Sequence, residues 1–297
     1  MSPGRDGWTV WQPLAGLQSL SAGVLRETVD GGQSFRWAAQ ADGTWLGQWS
    51  DQVVRLRTVA DGGLHWSAPA ALAGTTPAAL GRYFGTERNF ASLADTLPWR
   101  SDPHLARCLA AYPGLRILHQ PFGETLLGFL CSATKQIVQI KQMVSLLAER
   151  HGRPLAACPD RHALPTWAEL ATIPESELRA CLLGFRARYI AETAALIAAR
   201  PGWLEETEAA PYALAKERLC SLPGVGEKVA DCVLLFGAGR LEAFPVDTWI
   251  LKALARRYGL DGWKPAQVAQ FGRAHFGDLA GFAQQFLFSW ERAQGRE

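Results

Sequence analysis

The sequence predicts an α+β chain, with an antiparallel β-sheet near the N terminus followed by a mostly α-helical body. Three observations carry that prediction. The segments GTWLGQW (43–49), QVVRLRTV (52–59) and GLHWSA (63–68) alternate apolar and polar residues, and Ala-Asp-Gly and Asp-Gly-Gly turn signals separate them. From about Thr76 the apolar residues recur at i, i+3 and i+4, the period of a helix buried along one face. With 297 residues, 48% hydrophobic and 20% charged, the chain has ordinary globular composition and length for two or three packed sub-domains.

In chain order, the opening MSPGRDGWTVWQPL has no continuous apolar stretch, so no signal peptide is expected. No 18 apolar residues stand in a row, so no membrane span is expected either. After the strands, TPAALGRYFG, DPHLARCLAAY, the long FGETLLGFLCSATKQIVQIKQMVSLLAER and PESELRACLLG read as helices. Thr76-Pro77, Asp102-Pro103 and Pro174-Glu175-Ser176-Glu177 look like helix starts. Helices are expected to the C terminus, broken at 200–202 and within SLPGVGEKVADC (221–232). The expected division is an α+β domain over 1–118 and a helical body over 119–297 in two sub-domains, with a helix-hairpin-helix at 219–232.

A formal net charge of +2 does not announce a nucleic-acid binder, so any basic face must come from clusters such as RARY (186–189) and ARRYG (255–259). The six cysteines, Cys108, Cys131, Cys158, Cys181, Cys220 and Cys232, include no CxxC pair. They suggest reduced thiols of an intracellular protein rather than zinc ligands. None of the six histidines shows metal or triad spacing.

In LPGVG (222–226), a proline and two glycines make a tight turn between two helices, which lets backbone amides of Gly224, Val225 and Gly226 approach a phosphate. Such a hairpin grips a nucleic-acid backbone without reading sequence; taken alone the motif reads first as an ordinary αα-corner. Lys228, just beyond the turn, could be a point charge for phosphate. It could instead be an amine nucleophile, which needs the neutral amine that desolvation or a neighbouring cation favours. Asp247, in FPVDTW, precedes an amphipathic segment and is expected to cap it. The same backbone bonds would keep its carboxylate ionised, able to stabilise positive charge on a sugar.

LPGVGEKVADC followed by PVDTW resembles the helix-hairpin-helix plus Gly-Pro-Asp signature of DNA base-excision glycosylases. With GGQSFRW (31–37), GFLCSATKQI (128–137), GFRARY (184–189) and AGFAQQFLFS (280–289) in the family's order, the chain resembles the 8-oxoguanine DNA glycosylase/AP lyases over nearly its whole length. The resemblance implies a TBP-like N-terminal sheet, double-stranded DNA containing 8-oxoguanine as partner, and no required cofactor. The absence of cysteines after Cys232 argues against the iron–sulfur branch similar to endonuclease III.

Carried over residue by residue, the resemblance makes Lys228 the Schiff-base lysine and Asp247 the aspartate assisting glycosidic cleavage. Gly32 matches the glycine whose carbonyl accepts the N7 hydrogen that 8-oxoguanine has and guanine lacks. Cys232 and Phe288 match the pair that sandwiches the flipped base, and Gln284 the amide on its Watson–Crick edge. Carbonyls of Cys220, Leu222 and Val225 match a monovalent or divalent cation site. Singly, Cys232 and Phe288 read as core, Gln284 as a surface amide and Gly32 as a turn glycine.

Where the family reads the opposite cytosine with an asparagine and two arginines, this chain has Thr134, Gln139 and Arg186, and Phe185 stands at the wedge tyrosine. A bidentate arginine contact is worth about 1–3 kcal/mol of discrimination, so a weaker preference for cytosine is expected. Trp249 replaces a histidine usual two residues after the aspartate. Two rivals stand beside this reading: a monofunctional alkyl-base glycosylase using the aspartate and water, and a non-catalytic damaged-DNA binding module. A monomer is expected, in the cytoplasm or nucleoid, or in the nucleus of a eukaryote.

Overall fold

The computed structural model describes residues 7–17 and 19–295; the first six residues, where the signal-peptide expectation begins, lie outside them. Strands β1 (Gln12–Pro13), β2 (Trp37–Ala39), β3 (Trp45–Trp49), β4 (Gln52–Thr58) and β5 (Leu64–Ser67) form an antiparallel sheet in the order β1-β5-β4-β3-β2. The three alternating segments become β3, β4 and β5. Between β1 and β2 runs helix α1 (Ala22–Asp30), which the sequence reading does not separate from the sheet. Ser21 caps it, accepting from Val24 N, and Val24, Leu25 and Val29 are buried.

Helices α2 (Thr76–Phe84), α3 (Phe90–Thr96) and α4 (Pro103–Ala111) come next. Trp37, Trp49 and Tyr83 pack together between sheet and α2, with the Trp49 and Tyr83 ring centroids 4.3 Å apart. Asp102 caps α4 as expected, accepting from His104 N and Leu105 N. Thr76 does not cap α2. It is the first helical residue, preceded by Thr75, and its hydroxyl donates to the Leu72 carbonyl.

The long apolar segment splits into α5 (Phe122–Leu130) and α6 (Ile137–His151), separated by a turn in which Thr134 has φ +55°. The expectation of helices to the C terminus also meets an exception. Strands β6 (Pro154–Leu155) and β7 (Cys158–His162) form a small hairpin, and Gln48 of β3 donates to the His162 carbonyl at 2.6 Å. The body continues with α7 (Trp167–Leu170), α8 (Glu175–Leu178), α9 (Arg186–Ala198), α10 (Trp203–Ala209), α11 (Tyr212–Cys220), α12 (Glu227–Phe236), α13 (Thr248–Tyr258), α14 (Pro265–Phe276) and α15 (Ala280–Gln294).

One continuous apolar core joins the sheet to the helices. No described helix is long and apolar enough to cross a membrane. Within the Arg-rich clusters Arg188 pairs with Glu192, Arg256 and Arg257 share Glu291, and Arg186 is buried.

Candidate active site

The hairpin forms where the sequence places it, with α11 ending at Cys220 and α12 beginning at Glu227. Gly224 has φ +76°, and a Cβ there would lie 2.6 Å from the Tyr189 ring of α9, so both conformation and space demand glycine. Thr193, also on α9, donates to the Pro223 carbonyl at 3.3 Å. No side chain caps the N terminus of α12, and Gly224 and Gly226 are exposed. The first amides of the helix therefore remain available to an anion.

Lys228 lies in the first turn of α12, half-buried. Its ammonium donates to Ser132 Oγ at 3.3 Å and lies 5.3 Å from the centroid of the Phe129 ring. Asp247 caps α13, its Oδ1 accepting from Ile250 N at 2.8 Å. The capping bond does not lower the Asp247 carboxyl as the sequence suggests. Burial raises the Asp247 carboxyl above its ordinary value and outweighs the Ile250 hydrogen bond and the charge of Lys228. Cys232, one turn beyond Lys228, is 4% exposed, and burial pushes its thiol up to about 11, so it presents a neutral thiol to the pocket.

Lys228, Asp247 and Cys232 share a cleft of about 1010 Å³ with Gly32, Gln284 and Phe288. All six residues expected to serve chemistry and base binding thus line one space. Gly32 has φ +108°, and a Cβ on it would meet Ile137 at 3.3 Å and the Phe288 ring at 3.8 Å. Its segment is pinned from behind. The buried Gln33 donates to the Arg116 carbonyl and accepts from Leu118 N, while Ser34 donates to the Val29 carbonyl. Gln284 donates from Nε2 to the Pro245 carbonyl at 3.1 Å, which ties α15 to the Pro-Val-Asp turn. Its buried Oε1 has no partner among the described residues. An unpaired buried acceptor costs about 1–3 kcal/mol, and a ligand N–H would remove that cost.

The residues expected to face the opposite strand are arranged differently. Arg186 is 2% exposed: Nε and Nη2 donate to the Ala133 carbonyl, Nη1 donates to the Leu183 carbonyl at 3.1 Å, and Nη2 also reaches Thr134 Oγ1 at 3.1 Å. Gln139 closes a capping box on α6, accepting from Gln136 N at 3.2 Å. Phe185 is 50% exposed and lies 4.4 Å above the Arg186 guanidinium.

Sequence reasoning missed Ser132 and Phe129, which hold the lysine. It also missed Gln285 and Arg292, whose side chains line the cleft. Ser132 stands right after Cys131 within the quoted GFLCSATKQI, but nothing in that string points at Lys228, 96 residues away. Leu182 has no sequence signal to set it apart from a core leucine, yet it is 53% exposed with φ +62° in the same turn as Phe185.

Among known families, the profile described as "8-oxoguanine DNA glycosylase, N-terminal domain" matches residues 19–126. The profile described as "HhH-GPD superfamily base excision DNA repair protein" matches residues 127–274. An N-glycosylase/DNA lyase of Arabidopsis thaliana is 30% identical over 303 residues, covering 96% of this chain and 81% of the relative. Among solved structures, the apo form of the Clostridium acetobutylicum 8-oxoguanine glycosylase/lyase superposes with a TM-score of 0.82 at 30% identity, covering 93% of each chain. The same enzyme in complex with DNA containing cytosine opposite 8-oxoG superposes at 0.85, with 28% identity and 97% and 99% coverage.

Proposed function

The chain belongs to the 8-oxoguanine DNA glycosylase family of the helix-hairpin-helix superfamily, and from that premise we propose how its own residues excise the base and cut the strand. It is a DNA N-glycosylase with lyase activity, acting on double-stranded DNA that carries 8-oxoguanine. The observation that carries this reading is the convergence of Lys228 and Asp247 on one cleft with Gly32, Gln284 and Phe288.

A base inside a duplex is out of reach, so the damaged nucleotide rotates into the cleft at a cost of a few kcal/mol. Stacking on Phe288, with the neutral Cys232 thiol opposite, offsets part of that. The Gly32 carbonyl accepts the N7 hydrogen of 8-oxoguanine and would face a lone pair on guanine. Gln284 Oε1, lacking a protein partner, accepts from the Watson–Crick edge.

Lys228, as the neutral amine, attacks C1′ of the sugar. The glycosidic bond breaks with its electron pair leaving on the base, which takes up a proton. Asp247 as carboxylate stabilises the positive charge that builds on the sugar. Ring opening gives a protonated imine between Lys228 and C1′, which acidifies the C2′ hydrogen. Loss of that proton expels the 3′ phosphate by β-elimination. One lysine therefore serves both activities.

The exposed amides of Gly224 and Gly226 would grip the DNA backbone, whereas Val225, expected to join them, is buried and its amide donates to the Leu222 carbonyl; Phe185 would fill the vacated stack. Carbonyls of Cys220, Leu222 and Val225 would hold a cation; the Leu222 carbonyl already accepts from Val225 N at 3.1 Å and keeps one lone pair for it. The domain division at 118/119 is supported by the start of α5 at Phe122, just beyond it.

A labelled duplex with one 8-oxoguanine tests the reading. The enzyme is expected to release the base and leave a strand ending in a 3′ unsaturated aldehyde without alkali. Release of the base with an intact abasic strand would instead favour water attack assisted by Asp247 alone.

A further inference from the structure

Gly32 and Phe288 form one corner of the base pocket, and any role for the residues behind that corner rests on the pocket reading. Behind the corner lies an ion pair between Glu27 of α1 and Arg292 of α15, 265 residues apart in sequence and 8% and 7% exposed. Arg292 Nη2 meets Glu27 Oε2, and Nη1 donates to the Gly31 carbonyl at 2.8 Å. The guanidinium lies 5.5 Å from the centroid of the Phe288 ring, one turn earlier on α15, and the side chain lines the cleft. A Cβ on Gly31 would come within 2.7 Å of Glu27 Oε1, so the carboxylate folds beneath the turn only because that residue is glycine.

The Gly31 carbonyl belongs to the peptide plane that leads into Gly32. Glycine resists neither of its own torsions, so the Gly32 carbonyl is aimed by the anchors on either side of it: the Arg292 bond to Gly31 before it and the bonds of Gln33 to Arg116, Leu118 and Gln120 after it. The same guanidinium lies over the ring that the base would stack on. One side chain therefore spans the acceptor and the stacking face. A buried ion pair is no stability device in itself, because apolar replacements of similar volume are often as stable. Its position between two recognition elements is the informative feature. We propose that Arg292, neutralised by Glu27, is a positioning residue that sets the Gly32 carbonyl against the Phe288 ring at the spacing a flipped 8-oxoguanine requires.

The test is the double variant Glu27→Leu/Arg292→Leu, which removes both charges together and leaves neither uncompensated. Excision from an 8-oxoguanine duplex and β-elimination at a preformed abasic site are measured under single-turnover conditions, with Tm as a check on folding. Excision is expected to fall by roughly ten- to a hundred-fold relative to abasic-site cleavage, the scale of loss that an ångström of misplacement brings. Tm is expected to stay within a few degrees of the parent. Arg292→Lys, which keeps the charge but not the planar fork, is expected to lower the same ratio. A double variant with the parent ratio overturns the proposal, as does one in which both activities and Tm fall together. Phe288→Ala distinguishes failure of the pocket from failure of the positioning role. If it leaves the ratio unchanged, the pocket reading itself fails; if it lowers the ratio while the double variant does not, only the role of Arg292 fails.

Discussion

The lesion side of the cleft and the opposite-strand side use their polar groups in contrasting ways. On the side proposed to take the lesion, Gln284 Oε1 is buried without a partner among the described residues, and Lys228 makes a long hydrogen bond to Ser132. On the opposite-strand side, Arg186 is bonded to the Ala133 and Leu183 carbonyls and to Thr134, and Gln139 is held in a helix cap. The first arrangement leaves capacity for a ligand; in the second the Arg186 guanidinium is taken up by the protein's own carbonyls, while Gln139 stays exposed with its Oε1 in the cap. We propose that recognition by this chain rests more on the extruded base than on its former partner.

Breaking the lesion side produces the largest effects. Lys228→Gln is expected to lower excision by a factor on the order of 10⁴ or more, since the nucleophile and the imine vanish together. Asp247→Asn removes the group facing the developing charge and is expected to cost about 10²–10³ in excision rate. The parent enzyme should lose excision as pH falls through the Asp247 value, at a limb above the ordinary aspartate position near about 3.9. The same shift has a stability consequence. Because burial raises this carboxyl, its ionised form penalises the fold, a penalty absent at low pH and complete once pH exceeds the folded value. Asn caps a helix about as well as Asp, so Asp247→Asn should raise Tm at pH 7 and not at pH 3.

Phe288→Ala is expected to reduce excision by roughly ten- to a hundred-fold, matching the about 1–3 kcal/mol of one base stack. On the opposite-strand side the effects are smaller and of another kind. Excision opposite each of the four bases should show a cytosine preference well short of a thousandfold, because the bidentate contacts that would supply it are missing or engaged. A full thousandfold preference for cytosine would overturn that expectation. Arg186→Ala, finally, should lower stability by about 1–3 kcal/mol through the unpaired carbonyls it leaves, measured by urea unfolding.

Much of the site was legible because local patterns carried it. Pro-Gly-x-Gly fixed the hairpin to the residue, and Asp247 caps α13 because an N-cap needs only its neighbours' amides. The alternating strands and the Asp102 cap emerged for the same reason. Long-range features stayed hidden. Nothing near Gly32 announces that Arg292 bonds the preceding carbonyl, and nothing near Lys228 announces Ser132. The split of α5 from α6 turns on Thr134 at φ +55°, a conformation that helix periodicity does not register. The raised carboxyl of Asp247 arises from packing around it, which outweighs the visible capping bond.

Borohydride trapping asks directly whether Lys228 forms an imine with the sugar of an excised 8-oxoguanine. Incubated with an 8-oxoguanine duplex and borohydride, the parent enzyme should give a covalent protein–DNA band that Lys228→Gln does not give. A parent protein that releases the base yet traps no DNA, on the lesion duplex or on a preformed abasic site, would contradict the account and assign cleavage of the glycosidic bond to water and Asp247.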